Sequence, residues 1–225
     1  MDIYDHIIKK AKELGATLAG FTDTDSLQTS PSYEAFDHFN LPENARSVLV
    51  LALVHKQDEP ELDWWGMKGG TSGNQKMQDF SEELADWMKQ THGINSEILQ
   101  YAVEPGGTFL KDAAVLAGLG CIGKNNLLIT PEYGPRVRLR AIALEVGPAI
   151  TGAERFSPCD ACKNQCWQAC PQNAFSDGYY NRAACSIQMK EDEAKKIVTR
   201  QDSVQTIKIK YCRACELSCP AGRKK

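Results

Sequence analysis

Cys159-Asp-Ala-Cys162-Lys-Asn-Gln-Cys166-Trp-Gln-Ala-Cys170-Pro171 is the stretch on which the reading of this 225-residue chain turns. A second run, Cys212-Arg-Ala-Cys215-Glu-Leu-Ser-Cys219-Pro220, repeats its ending, and Cys185 stands alone between them. Of the nine cysteines, all but Cys121 lie in this last part of the chain. A cubane iron–sulfur cluster needs four thiolates converging on one small volume. Two-residue gaps let the chain wrap one face of a cluster, and a three-residue gap sends the next cysteine away. In two-cluster ferredoxins the run is C-x2-C-x2-C-x3-C-P, and its fourth cysteine ligates the other cluster. Here the first run is C-x2-C-x3-C-x3-C-P, longer by one residue before Cys166. Both runs close on Cys-Pro, where proline fixes its own φ and donates no hydrogen bond.

Exchange of ligands between the runs gives a specific expectation. Cys159, Cys162, Cys166 and Cys219 would hold one [4Fe-4S] cluster. Cys170, Cys185, Cys212 and Cys215 would hold the other. Two competing readings use the same thiols. Disulfides belong to oxidising compartments, whereas the opening Met-Asp-Ile-Tyr reads as no signal peptide, so a reducing cytoplasm is expected. Paired zinc sites usually place longer gaps between two C-x2-C knuckles.

Composition sets outer bounds. An apolar fraction of 42% and a charged fraction of 24% fit a soluble globular protein. A formal net charge of -3 gives no electrostatic case for nucleic acid. No apolar run approaches the ~20 residues of a membrane span. Composition shifts near Gly152, which suggests a first unit over 1–152 and a cysteine module over 153–225.

Hydrophobic periodicity organises the first unit. Ile3, Ile7, Ile8, Ala11 and Leu14 recur at helical spacing, and Gly15 ends the pattern. Residues 16–22 read as a strand, and 23–45 as loop with a short helix near 33–39. Ser47 to Val54 is unbroken apolar sequence, as a central buried strand would be. Trp64, Trp65 and the Gly69-Gly70 pair sit in a predicted loop. Residues 74–91 read as a helix with Met77, Phe80, Leu84, Trp87 and Met88 along one face. A strand over 97–103, a helix over 108–118 and a strand over 126–130 follow. Residues 136–144 alternate Arg136, Arg138 and Arg140 with Val137, Leu139 and Ala141, as a strand with one polar and one apolar face would. Those arginines either hold an anionic group or form a solvated face. Residues 191–201 read as a helical insert.

Gly118-Leu-Gly120-Cys121-Ile-Gly123-Lys124-Asn125 satisfies G-x-G-x-x-G and nearly satisfies the P-loop. Both signals mislead, because a phosphate loop follows a strand and opens a helix. This stretch follows a predicted helix and leads into a strand. Its glycines read instead as a close approach of backbone to a flat ligand, or as a helix cap.

Ala117 to Ile129 (AGLGCIGKNNLLI) resembles a stretch of the epoxyqueuosine reductases. Ile129 to Leu139 (ITPEYGPRVRL) is similar to the matching stretch of reductive dehalogenases, and both cysteine runs and Cys185 match the double-cluster module of both. The resemblance implies an α+β protein: a nitroreductase-like α/β domain followed by a bacterial ferredoxin-like module with two [4Fe-4S] clusters. It implies a cobalamin against the first domain, near Gly118, Gly120, Cys121, Gly123, Lys124, Asn125, Arg136 and Arg138. Epoxyqueuosine reductases carry an aspartate as general acid about 13 residues before Ala-Gly-Leu-Gly, and Glu104 stands there. Electrons would come from a low-potential donor of ferredoxin or flavodoxin type, pass through both clusters and reduce the cobalt. The expected function is a cytoplasmic corrinoid- and iron–sulfur-dependent reductase. The alternatives are a protein that reduces a partner corrinoid protein, or a corrinoid binder without its own substrate. A flavin could replace the corrinoid. Those reductases continue into a tRNA-binding repeat domain and this sequence does not, so nucleic acid is not the expected substrate. His6, His38, His55 and His92 are scattered and show no metal-ligand spacing.

Overall fold

The computed structural model describes residues 2–35, 41–66, 70–99, 108–152, 155–201 and 204–222. The elements run α1 (Ile3–Leu14), β1 (Leu18–Asp23), α2 (Thr24–Gln28), α3 (Pro31–Ala35), β2 (Ser47–Val54), a 3-10 turn (Pro60–Asp63), β3 (Trp65–Gly66), β4 (Gly70–Thr71) and α4 (Ser72–His92). They continue with β5 (Ser96–Ile98), α5 (Leu110–Leu116), β6 (Cys121–Ile122), β7 (Leu128–Ile129), β8 (Val137–Leu144), α6 (Gln165–Gln168), α7 (Arg182–Ala194), β9 (Ile197–Gln201), β10 (Val204–Lys208) and α8 (Ala214–Leu217).

One antiparallel sheet, in the order β1-β2-β8-β5, carries the first unit. Its two faces are both covered, which is why β2 is apolar without interruption. Leu49 and Leu51 enter one core with Ile7, Phe21, Met77, Leu84 and Met88. Val48, Val50 and Ala52 enter the other with Leu27, Ala113, Ala114 and Ala141. The stripe on α4 is therefore core, and α1 packs beside it. The Thr71 hydroxyl accepts the Asn74 amide proton at 3.1 Å to start α4, and Gly93 at φ 68° ends it. Side-chain caps and a left-handed glycine satisfy terminal groups that the helix cannot.

Several boundaries differ from the sequence expectation. The insert expected to be helical over 191–201 divides: α7 ends at Ala194, and Ile197 begins the β9–β10 hairpin. The β-branched Ile-Val-Thr at 197–199 disfavours helix, and cross-strand pairing outweighs the charged helical run before it. The predicted loop around Trp64 and Trp65 contains the β3–β4 pair, and β3 bridges to Ile209 through Trp65. Residues 136–144 do not form a strand with one wet face: Arg136 and Arg140 are buried. Of the strand expected over 97–103, β5 holds 97–98, Leu99 lies past its end, and 100–103 fall outside the described residues.

The cysteine tail has little apolar core of its own. α7 buries none of its residues fully, and α6 and α8 are single turns. Backbone contact joins it to the sheet unit instead. A Cβ on Gly134 would stand 2.1 Å from the Ala221 carbonyl oxygen.

Candidate redox site

The tail brings its cysteines into two neighbouring sets. Cys159, Cys162, Cys166 and Cys219 line one small cavity, together with Lys124, Asn125, Ile129 and Pro220. Burial pushes the Cys219 thiol up, and the nearby Cys159 and Cys162 add to the rise although Arg136 opposes it. Burial likewise pushes the Cys215 thiol up to about 12, with Cys212 and Cys185 next to it. Cys212 is raised by burial and then by Asp192, Cys170 and Cys185. Cys166 also acts on Cys215, so the two sets adjoin.

All nine cysteines are free thiols. Among the described residues no three His, Cys, Asp or Glu side chains converge closely enough for a single ion. The four-thiol sets enclose a volume rather than a point, and their all-sulfur donors suit an iron–sulfur cluster. Backbone amides point at the sulfurs from several sides: Lys124 at Cys159 (3.5 Å), Ala174 at Cys170 (3.3 Å) and Ala214 at Cys212 (3.5 Å). Such bonds tune the potential of a cluster.

The glycine stretch serves this site. Gly118 follows α5 at φ 76°, and a Cβ there would lie 1.9 Å from the Gly152 carbonyl oxygen. A Cβ on Gly120 would lie 2.1 Å from the carbonyl oxygen of Ile129. Gly123 is tight against the Ile129 side chain. Protein, not an open cleft, fills the space these glycines vacate. Lys124 accepts the Trp167 indole proton at its carbonyl (3.0 Å) and bonds Asn164 with its ammonium. Asn125 donates to the Cys215 carbonyl at 3.4 Å. Cys121 lies beside Cys159 and Cys219, with its thiol raised by burial first. Arg136 donates to the carbonyls of Cys219 (3.3 Å) and Ala221 (2.6 Å).

A second cavity, of about 360 Å³, is lined from α5, β8 and α8. Its walls are Phe109, Leu110, Leu127, Leu128, Pro135, Val137 and Leu139. Its polar groups are Ser32, His55, Thr108, Lys111, Asp112, Arg138 and Glu216. Apolar walls with a few polar groups are typical of a small-molecule site. Of the residues expected near a corrinoid, only Arg138 lines this cavity. Glu104 lies outside the described residues. Glu216 comes from the tail, directly after Cys215, so the cavity touches the second cysteine set through one residue.

Beneath the cavity is a buried charge hub that sequence reasoning missed. The Asp63 carboxylate bonds His55 Nδ1, Arg138 (2.6 Å) and Arg213. Arg213 also pairs with Glu216, with Nε to Oε2 at 2.9 Å. Burial pushes the Asp63 carboxyl up, but hydrogen bonds from His55 and Arg138 and the charge of Arg213 hold it below the ordinary range. The anionic group expected for the arginine strand is thus, for Arg138, a carboxylate of the chain itself. Nothing local marks Asp63, which sits 75 residues from Arg138 and 150 from Arg213. Lys111 is pulled down by burial despite Asp112, and its ammonium donates to Asn126 at 2.8 and 2.9 Å.

No family model matches the chain. Epoxyqueuosine reductase of Listeria monocytogenes is 32% identical over 117 residues, which covers 51% of this chain and 30% of that one. Tetrachloroethene reductive dehalogenase of Desulfitobacterium hafniense is 38% identical over 65 residues, 28% of this chain and 12% of that one. Its homologues are reductases of these two kinds. The solved epoxyqueuosine reductase of Streptococcus thermophilus superposes with a TM-score of 0.68 at 23% identity, covering 100% of this chain and 67% of that one. A catabolic reductive dehalogenase solved with 3-bromo-4-hydroxybenzoic acid gives 0.67 at 16% identity, covering 97% and 31%. The fold is therefore the mixed α and β fold of epoxyqueuosine reductase. The chain spans less than a third of the first of these relatives. Among the described residues no helix is long and apolar enough to cross a membrane.

Proposed function

We propose that the chain is a cytoplasmic reductase that carries two [4Fe-4S] clusters and works on a corrinoid in the 360 Å³ cavity. In this reading residues 1–152 form a nitroreductase-like domain and 153–225 a ferredoxin-like module. The observation that carries it is Glu216, the residue after Cys215, which lines the apolar cavity. Cys159, Cys162, Cys166 and Cys219 would hold one cluster; Cys170, Cys185, Cys212 and Cys215 the other. A low-potential donor of ferredoxin or flavodoxin type would supply the electrons, and the clusters would pass them to the cavity.

The cavity fits part of a cobalamin and not the whole of it. Leu127, Leu128, Val137 and Leu139 offer an apolar wall to a flat ring, and Lys111 and Arg138 offer donors to its amide groups. A bound cobalamin would supply a strongly reducing, nucleophilic cobalt. Buried Asp63 keeps Arg138 and Arg213 in place, and the apolar walls exclude water. Glu104, from the resemblance, remains the proposed acid.

Iron and sulfide analysis of anaerobic protein, with a cobalamin titration followed by absorbance, tests this. About eight irons per chain, tight binding and reduction of cobalt are expected. Zinc in their place overturns the redox reading. A flavin bound in preference to cobalamin replaces the cofactor but keeps the electron path. Reduction of a corrinoid partner without binding of free cobalamin makes the chain an activating protein.

A further inference from the structure

Resting on the reductase reading, we propose that His55, oriented by Asp63, is a second proton-transfer residue of the cavity. His55 follows the last residue of β2, and its amide donates to the Arg136 carbonyl at 2.8 Å, which fixes the backbone at the cavity wall. Its side chain is 9% exposed and that of Asp63 is 4% exposed. Asp63 is a carboxylate among His55, Arg138 and Arg213, so it can only accept at Nδ1. The proton of the neutral ring then sits on Nδ1. Nε2 is left to bind or release a proton, and it has no hydrogen-bond partner among the described residues. A carboxylate that sets the tautomer of a histidine lining a cavity is the arrangement by which general acid–base histidines are oriented.

The charges around His55 come from four elements. Asp63 lies on the 3-10 turn, Arg138 on β8, Lys111 and Asp112 on α5, and Arg213 and Glu216 at α8. Arg138 and Arg213 both pair with Asp63, and Arg213 pairs also with Glu216, so two carboxylates face two guanidiniums. Asp63 holds the ring by Nδ1, so a proton carried on Nε2 is the one the cavity can receive. For a substrate with a cleavable polar bond the balance is R–X + 2 e⁻ + H⁺ → R–H + X⁻. The electrons come from the low-potential donor, the R–X bond breaks, and the proton leaves Nε2 to form R–H. The ring then regains a proton from water.

The test uses the full chain with its clusters loaded. Side-chain nitrogen NMR of His55 reads the tautomer without any turnover. Nδ1–H in the neutral ring is expected, and D63N should abolish the tautomer preference. An Nε2–H tautomer overturns the proposal. Reduction of 3-bromo-4-hydroxybenzoate by the cobalamin-loaded chain is the second readout. H55Q, which retains a hydrogen bond to Asp63, should lower the rate at pH 7 about 100-fold at saturating cobalamin. An equal rate with an unchanged pH profile also overturns the role of His55. Failure of the wild type to reduce any probe would instead count against the reductase reading, and the NMR result would still decide the dyad.

Discussion

The sheet unit and the cysteine tail occupy one chain but are held together by different matter. The sheet unit has two apolar cores, one on each face of four paired strands. The tail has short helices, a hairpin, and few deeply buried apolar side chains beyond Ala174, Phe175 and Ile207. Burial at about 25 cal/mol per Å² can fold the first. The second lacks that area, so eight thiolates bound to inorganic cores would have to supply its stability. A module of this kind folds with its metal.

The largest expected effect therefore falls on one half only. Iron chelation should strip the tail of its hydrogen-exchange protection and leave β2 and β8 protected. Equal loss in both halves would show that the sheet unit depends on the clusters too. Within the tail, Cys219→Ala should remove one cluster and retain about half the iron. Retention of all the iron would break the crossed assignment of ligands.

Asp63→Asn acts at the seam, because it leaves Arg138 and Arg213 with an impaired partner. Breaking a buried ionic pair costs about 3–5 kcal/mol, and denaturant unfolding should report a loss of that order. The same carboxylate makes the seam sensitive to acid. Its folded pKa is depressed, so its contribution is complete above the ordinary value of 3.8 and is lost as pH falls through the folded value. Contact between Trp65 and Ile209 should weaken in that acid range, which the indole fluorescence can follow.

In the sheet core, Leu49→Ala should cost about 2–5 kcal/mol, because Leu49 is wholly buried. The iron content should not change, since Leu49 packs in a core with Ile7, Phe21 and Met77 that contains no cysteine. Gly93→Ala should cost only about 1 kcal/mol: φ is 68°, but a Cβ there meets nothing within 4 Å. At the bottom of the scale, Lys9→Ala removes an exposed pair with Glu13 at 3.9 Å and should change stability by under about 0.5 kcal/mol.

Different signals made the two halves legible. Helical periodicity located α1 and α4, and an unbroken apolar run located β2, because each pattern is a local response to burial. Cysteine spacing grouped the thiols, because ligand geometry constrains short gaps. The hairpin at 197–208 was read in part as helix, since the charged run before it has helical composition and strand pairing is not a local property. The glycines of 118–123 read as a close approach to a flat ligand or as a helix cap; Gly118 at φ 76° ends α5, and backbone from Gly152 and Ile129 occupies the remaining space.

The amino-acid sequence alone determined α1, α4 and α5 and the central strand β2, because those depend on neighbours a few residues apart. Tertiary structure alone decided that Asp63 gathers His55, Arg138 and Arg213, and that the cavity touches the tail at Glu216. An isolated Asp, His or Arg in a sequence looks like solvated surface. Only folding takes it out of water, and the cost of burying a charge then dictates its partners.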